Sequence, residues 1–385
     1  MFSAPACNSQ PSVLRGMTQE PDPERAAAAL YAQIGRPGLA LAVVFCSPSY
    51  DRERLARALR ENFGETPLIG CTTAAEIGPG GYRTGGLSGF SLAADAFSVV
   101  LRPIEGLQGY AAADGQLIVD GMRAECAASG RVATRENSFA FLLIDGTSKR
   151  EERVAHSLHI ALGDIELFGG SSGDGVDAGQ QPYVMHGGAF HRDLAVLALV
   201  STARPFAVFK TESHVPTSTR MVITEADPEN RRVIEINGER AAIEYARLVG
   251  VEVGQLDIGV FSRYPVGVMR RGEYYPRAIA WVDEDLGLTF ACAIDSGVVL
   301  SVARPTDLLE SLERRLAAIC EQIGPPELLI TFDCLFRYHE MLEQGTVQAV
   351  GELMDRHGAV GFSTYGEQYN SMHINQTLTG VAIGR

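Results

Sequence analysis

Three short stretches of this chain combine glycine, hydroxyl side chains and an acid: Gly70-Cys71-Thr72-Thr73-Ala74-Ala75-Glu76, Gly170-Ser171-Ser172-Gly173-Asp174, and Ser363-Thr364-Tyr365-Gly366-Glu367. Glycine lets a backbone approach a small molecule closely, while Ser/Thr hydroxyls and free loop N–H groups supply donors. One such loop usually does no more than turn the chain; three together point to a shared binding function. Glu76 and Glu367 suit a cationic ligand and a backbone cap equally. Gly169-x-Ser171-x-Gly173 also matches the nucleophile elbow of a serine hydrolase, and His186, His191 and His214 follow it in the order that mechanism needs. Against that second reading, an elbow must run from a strand straight into a helix, and the glycines around Asp174 make a poor helix start. No phosphate loop, dinucleotide fingerprint or His-Glu-x-x-His zinc motif occurs.

The elements that position the loops recur in one order. Apolar runs at Leu39–Phe45, Phe139–Ile144 and Leu328–Phe332 read as buried strands. Helices follow over Asp51–Phe63, over Ser148–Leu162, and over Leu335–Leu342 with Val347–His357. A second strand then ends at each loop, and return strands follow at Leu87–Leu92, Asp193–Val200 and Thr377–Ile383. About 30 residues separate the first strand from the loop glycine each time, which marks an internal repeat. In such strand–helix–strand units the loop lies at the carboxyl end of the second strand, where open α/β sheets bind ligands. The expected fold is α/β, mixed α+β, with repeated strand–helix–strand units forming two sheet-containing halves and helices packed on them. A capped helix is expected from Pro23 to Gly35, behind a loose tail over Met1–Gly16. From Pro205 to Gly238 the pattern changes to a hairpin, Met221–Thr224 with Arg232–Ile236. Beyond it a helix is expected over Glu239–Val249, strands near Gly259–Arg263, Ala278–Val282, Leu288–Ile294 and Val298–Ser301, and a helix over Thr306–Gln322.

Composition removes several classes. The 33 Lys+Arg against 47 Asp+Glu leave a net charge of −14, with no basic block to meet nucleic acid or an anionic membrane. No apolar run reaches membrane-span length, and no secretory signal is visible. Seven cysteines without regular spacing read as reduced, buried thiols of a cytoplasmic protein.

The stretch Ile69–Ile77 resembles the N-terminal signature of the FIST sensory family, and Phe168–Asp174 resembles its mid-domain glycine motif. Phe332-Asp333-Cys334-Leu335-Phe336-Arg337, Gly361–Glu367 and His373-Ile374-Asn375-Gln376-Thr377 resemble its C-terminal domain. The resemblance divides the chain into an N-terminal tail and helix (1–37), a FIST N-like domain (38–225) and a FIST C-like domain (226–385). It implies a sensor of small ligands rather than an enzyme. Within the family the chain is most similar to nitric-oxide-sensing proteins that bind b-type haem and regulate a histidine kinase; self-association is left open. Where the family commonly has a glycine between the cysteine and the arginine, this chain has Leu335-Phe336.

A haem needs an axial imidazole and an apolar slot. His156 and His159 read as solvated, and His357 as a helix cap. His373, His339 and His186 remain as axial candidates, the first two preferred, with Arg337 placed to pair a propionate. His186 in Met185-His186 echoes His373 in Met372-His373, which suggests equivalent positions. Cys334 and Cys71 are alternative ligands if a cation such as Arg337 favours the thiolate. A sensor of another ligand without haem remains the alternative.

Overall fold

The computed structural model describes residues 11–176, 181–270 and 272–385. The mixed α/β class is the one expected, and the repeats are three in number. The first unit comprises β1 (Val13–Thr18), α1 (Pro23–Ile34), β2 (Leu39–Cys46), α2 (Arg52–Phe63), β3 (Leu68–Thr72), β4 (Ala75–Gly78), β5 (Gly81–Arg83) and β6 (Leu87–Ala93). The second comprises β7 (Phe97–Glu105), α3 (Asp114–Ala128), β8 (Ser138–Ile144), α4 (Glu151–Leu162), β9 (Leu167–Ser171), β10 (Val184–His186), β11 (Ala189–His191) and β12 (Leu194–Thr202).

The third unit opens with β13 (Phe206–Glu212) and is then interrupted. The insertion contains β14 (His214–Asp227), β15 (Arg232–Ile236), β16 (Glu239–Arg240), α5 (Ala241–Val249) and α6 (Ile258–Arg263). It continues with β17 (Val266–Arg270), β18 (Glu273–Arg277), β19 (Ile279–Val282), β20 (Leu288–Phe290) and β21 (Val299–Pro305). The unit resumes at α7 (Leu308–Ile323), β22 (Leu328–Cys334), α8 (Leu335–Gln344), α9 (Val347–Arg356) and β23 (Ala359–Thr364). It closes with β24 (Glu367–Tyr369), β25 (Met372–Ile374) and β26 (Thr377–Ile383).

The three units make three six-stranded sheets of identical design, ordered β1-β6-β2-β3-β10-β11, β7-β12-β8-β9-β24-β25 and β13-β26-β22-β23-β4-β5. In each, four strands come from one unit and the last two from another. Hairpin β4–β5 leaves the first unit to complete the third sheet, β10–β11 leaves the second for the first, and β24–β25 leaves the third for the second. Among the described residues the parallel pairs are β2 with β3, β8 with β9, and β22 with β23, each joined through a helical connection, as parallel neighbours require.

Helices cover the outer faces of the sheets, so the strands are apolar on both sides and read as continuous runs in the sequence. The inner faces meet on a phenyl-rich axis. Phe332 stacks on Phe168 at 5.6 Å between ring centroids, and lies 5.2 Å from Phe362 and 6.1 Å from Phe45. These rings come from all three sheets and belong to one buried cluster.

Two local expectations change. Val13–Thr18 is not a loose tail; β1 pairs along β6 and closes the edge of the first sheet. Residues 1–10 lie outside the described residues. Ile258–Arg263 is a helical turn, not a strand, because the Asp257 side chain accepts the Val260 N–H as an N-cap. Residues 225 and 226, where the sequence suggests a division, lie within β14.

Candidate functional site

The three glycine-hydroxyl loops do come together, at the carboxyl ends of β3, β9 and β23. Their backbones interlock: Ala74 N–H donates to Ser363 O (3.0 Å), Gly173 N–H to Thr72 O (2.9 Å), and Ser171 N–H to Gly366 O (2.9 Å). Tyr365 O–H donates to Asp174. Thr72, Thr73, Ser171, Ser172, Ser363 and Thr364 are all fully buried, and most of their hydroxyls are used internally. Thr73 donates to Glu76 (2.6 Å), Thr364 to Gly366 O (2.6 Å), and Ser171 accepts from Gln368 Nε2 (3.0 Å). The loops therefore plug the axis more than they line a cavity. The glycines beginning them have the same cause in each unit. A Cβ on Gly70, Gly169 or Gly361 would collide with the carbonyl oxygen of Val44, Leu142 or Thr331 on the neighbouring strand. Gly170 serves the core, where a Cβ would press on Phe332 and Phe362.

Glu76 and Glu367 are caps. Glu76 Oε2 accepts from Gly86 N–H (2.9 Å), and Glu367 Oε2 from Thr377 N–H (3.2 Å) and Thr377 Oγ1 (2.8 Å). Each carboxyl ties an exported hairpin to the strand that returns to its own sheet. Burial pushes Glu76 up to about 7, against hydrogen bonds from Thr73 and Gly86, and raises Glu367 well above the carboxyl range. A carboxyl whose folded pKa exceeds its unfolded 4.5 adds stability below about 4.5 and loses it as pH rises towards 7. Glu76→Gln is therefore expected to exceed the parent in stability at pH 8 by about 1–3 kcal/mol and to match it near pH 4.5. Urea denaturation at both pH values reads this difference directly, and parallel profiles for the two proteins would reject it.

Neither cysteine is poised as a thiolate. Burial raises Cys71 and Cys334 well above the usual thiol value. Arg337, expected to help Cys334, instead donates from Nε to Asp333 Oδ1 (2.6 Å) and from Nη1 to Ser213 Oγ (3.2 Å). Asp333 Oδ2 in turn accepts the Tyr82 hydroxyl (2.5 Å). Arg337 is 1% exposed, and its Nη2 has no partner among the described residues, so it is not presented at a surface where a propionate would lie.

The serine elbow is not formed. Among the described residues no helix follows β9; residues 172–176 have no regular structure. Ser171 is fully buried against Gln368, and His186, His191 and His214 lie on other elements.

The axial candidates separate. His186 sits in the first sheet, His373 in the second, and His339 on α8 outside the third. The expected equivalence of His186 and His373 is wrong by one strand. Met185, Gln368 and Ile77 face the loop glycines Gly70, Gly169 and Gly361, and they pair across their hairpins with Phe190, His373 and Tyr82. His373 thus corresponds to Phe190, and His186 to Tyr369. The His373 ring is closed in: Nδ1 meets Gln368 Nε2 at 3.1 Å, and Gly366 lies so close that a Cβ there would strike the imidazole. Burial brings His373 down to about 4. His156 is exposed, and His357 Nδ1 contacts Leu353 O at 2.9 Å, as a cap does.

The residues of the C-terminal motifs gather instead at the joint between the insertion and the three-sheet body. Arg277 Nη1 donates to His373 O (2.9 Å), Asn375 Oδ1 accepts the Ala278 N–H (3.4 Å), and Gln376 Nε2 donates to Phe261 O (3.3 Å). A small apolar contact of Ala278 with Cys334 and Phe336 adds to these. On one flank, Arg231 from the insertion is buried against Glu151 (2.5 Å) and Glu152 (2.8 Å). On the other, a pocket of about 230 Å³ opens between α6 and α8, lined by Ser262, Arg263, Pro305, Glu340, Glu343 and Gln344.

Behind that pocket lies His214, whose side chain is fully enclosed, with Nε2 4.0 Å from Glu340 Oε2. The ring also meets the Ser262 backbone, while Ser262 Oγ and Gln376 Oε1 lack a hydrogen-bond partner among the described residues. Burial, with the Arg337 charge beside it, lowers His214 to about 4, while burial raises Glu340 to about 7. Nothing in the sequence singles out His214, Ser262 or Glu340, since their meeting depends on how the insertion is seated. No group of three or more His, Cys, Asp or Glu suited to a metal ion occurs among the described residues.

The family can now be stated. The FIST N domain model matches residues 40–239 and the FIST C domain model residues 241–370, and this chain belongs to the FIST family, whose domains sense small ligands in signal transduction. Comparison with curated proteins gives no match. No helix among the described residues is long and apolar enough to cross a membrane.

Proposed function

We propose that this chain senses a small ligand taken up at the joint between the insertion and the three-sheet body, and that the seating of the insertion is the signal. The observation that carries this reading is a set of buried polar atoms without hydrogen-bond partners among the described residues, Ser262 Oγ, Arg337 Nη2 and Gln376 Oε1, around the enclosed His214 ring. Buried donors and acceptors are rarely left unmatched in a folded protein, so an occupant is called for. An occupant that completes the joint shifts the insertion by its preference for the seated state.

The finer reading follows the resemblance to the nitric-oxide-sensing proteins called NosP: a cytoplasmic b-type haem sensor that regulates a histidine kinase. Six described cysteines, all unpaired, agree with a reducing compartment; Cys7 lies outside the described residues. Bound haem would supply an iron able to take up nitric oxide. The joint pocket, about 230 Å³, is small beside the roughly 300–1,000 Å³ typical of drug-sized ligands, and does not fit a porphyrin. His373 is closed by Gly366 and Gln368 and does not fit as an axial ligand in this arrangement. His339 on α8 and His186 on β10, both partly exposed, remain the axial candidates.

Purified protein titrated with haemin tests this. A Soret band that shifts with nitric oxide, survives His373→Ala and is lost in His339→Ala or His186→Ala would carry the haem reading. Protein that takes up no haemin removes haem and leaves the sensor of a small polar ligand. That coarser reading is tested by Ser262→Val with Gln376→Leu. If the joint is a ligand site, the double variant should lose the small molecules that native mass spectrometry finds on the wild-type protein.

A further inference from the structure

The three exported hairpins create three equivalent grooves, each between a hairpin and the helix beside the strand it joins. Two are closed. In the groove of α4 and β24–β25, the insertion delivers Arg231 onto Glu151 and Glu152, next to His373. In the groove of the third unit and β4–β5, Tyr82, Asp333 and Arg337 close the space from within. The remaining groove, between α2 and β10–β11, receives no insertion. It is an open cavity of about 800 Å³, lined by Tyr50, Arg52, Arg57, Arg60, Tyr183 and Phe190 among others.

The charge of this groove reverses its counterpart's at one position and gains two arginines in place of histidines, while Glu53 keeps the sign of Glu152. Helices α2 and α4 have the same length and both end at a glycine, Gly64 and Gly163, so Arg52 occupies the place of Glu151, Arg57 that of His156 and Arg60 that of His159. Where Glu151 receives an arginine, Arg52 faces the cavity with its guanidinium 4.2 Å from the centre of the Tyr183 ring. That stacking fixes the planar group while leaving its edge N–H donors for an acceptor. Arg60 is steadied by the Gly188 carbonyl, and Arg57 has only a 3.7 Å approach to Glu24. Glu24 is already engaged by Arg54. Two acids, Asp51 and Glu53, also border the cavity; Asp51 caps α2 through Arg54 N–H (3.0 Å). In a chain of net charge −14, three arginines around one cavity form a local positive field.

We propose that this groove binds a small oxyanion, a phosphate- or polycarboxylate-bearing molecule, held by Arg52, Arg57 and Arg60 in the position that Arg231 fills, with opposite sign, one unit further round. The site is separate from the joint, so it stands or falls independently of the sensor reading there.

Calorimetric titration of the full chain at low ionic strength, with inorganic pyrophosphate and with citrate as probes, tests it. Loss of one charge-assisted contact should weaken binding about ten- to a hundredfold in Arg52→Ala and in Arg57→Ala. Arg52→Lys should keep part of the affinity. Arg57 is exposed on α2, so its variant should melt with the wild type when no probe is present and separates binding from folding. A short polyglutamate peptide forms the second arm. The proposal is overturned if neither probe binds, if binding is unchanged in both alanine variants, or if only the peptide binds.

Discussion

Replacing Phe332 with alanine is expected to lower the unfolding free energy by about 3–5 kcal/mol, the range for removing a large aromatic side chain from a closed core. Phe332 lies on the central strand pair of the third sheet and contacts Phe45 from the first and Phe168 from the second. The neighbouring backbone cannot move in to fill the space, because the strands around it are held by their own ladders on all three sides. The loss should come with a single unfolding transition, since the cavity weakens all three units together. Urea denaturation followed by far-ultraviolet circular dichroism measures it, with Trp281→Ala, 57% exposed, as the control. A loss under about 1 kcal/mol would mean that the three sheets do not share this axis.

Asp333→Ala should cost about as much, roughly 3–5 kcal/mol, for an electrostatic reason. It strands a fully buried guanidinium and removes the acceptor of the Tyr82 hydroxyl. The pair itself adds little net stability, because both charges gave up water to form it. Asp333→Leu combined with Arg337→Met is accordingly expected to recover most of the loss. The signature is strong coupling in a double-mutant cycle of melting free energies; additive losses would show that the two side chains do not meet.

The repeat was legible because each unit is written in local terms: an apolar strand, an amphipathic helix, a second strand and a glycine. Asp22 capping α1 and the hairpin of β14 with β15 were readable for the same reason. The destination of the hairpins was not. Gln368 on β24 faces Gly169, and no periodicity in either segment announces a partner so far away. The short pairs β4–β5 and β10–β11 therefore carry no local strand signal, and the repeated Met-His suggests a pairing of His186 with His373 that the register does not make. The gathering of the three loops at one end was expected, and it is observed. The open cavity at that point was an inference from glycine, and here glycine answers to close strand packing. His214, Ser262 and Glu340 carry no local signal because the contact between α6 and α8 that unites them is tertiary.

The exchange of hairpins bears on how the protein is made. The second sheet is incomplete until β24 arrives, and the hydrogen bond between Ser171 and Gln368 spans 197 residues of chain. While a ribosome is still translating the insertion, β9 presents a bare strand edge, which is a template for wrong pairing. Completion of the second sheet thus waits until β24–β25 have been synthesised, and a truncation before residue 367 should leave two sheets unfinished rather than one.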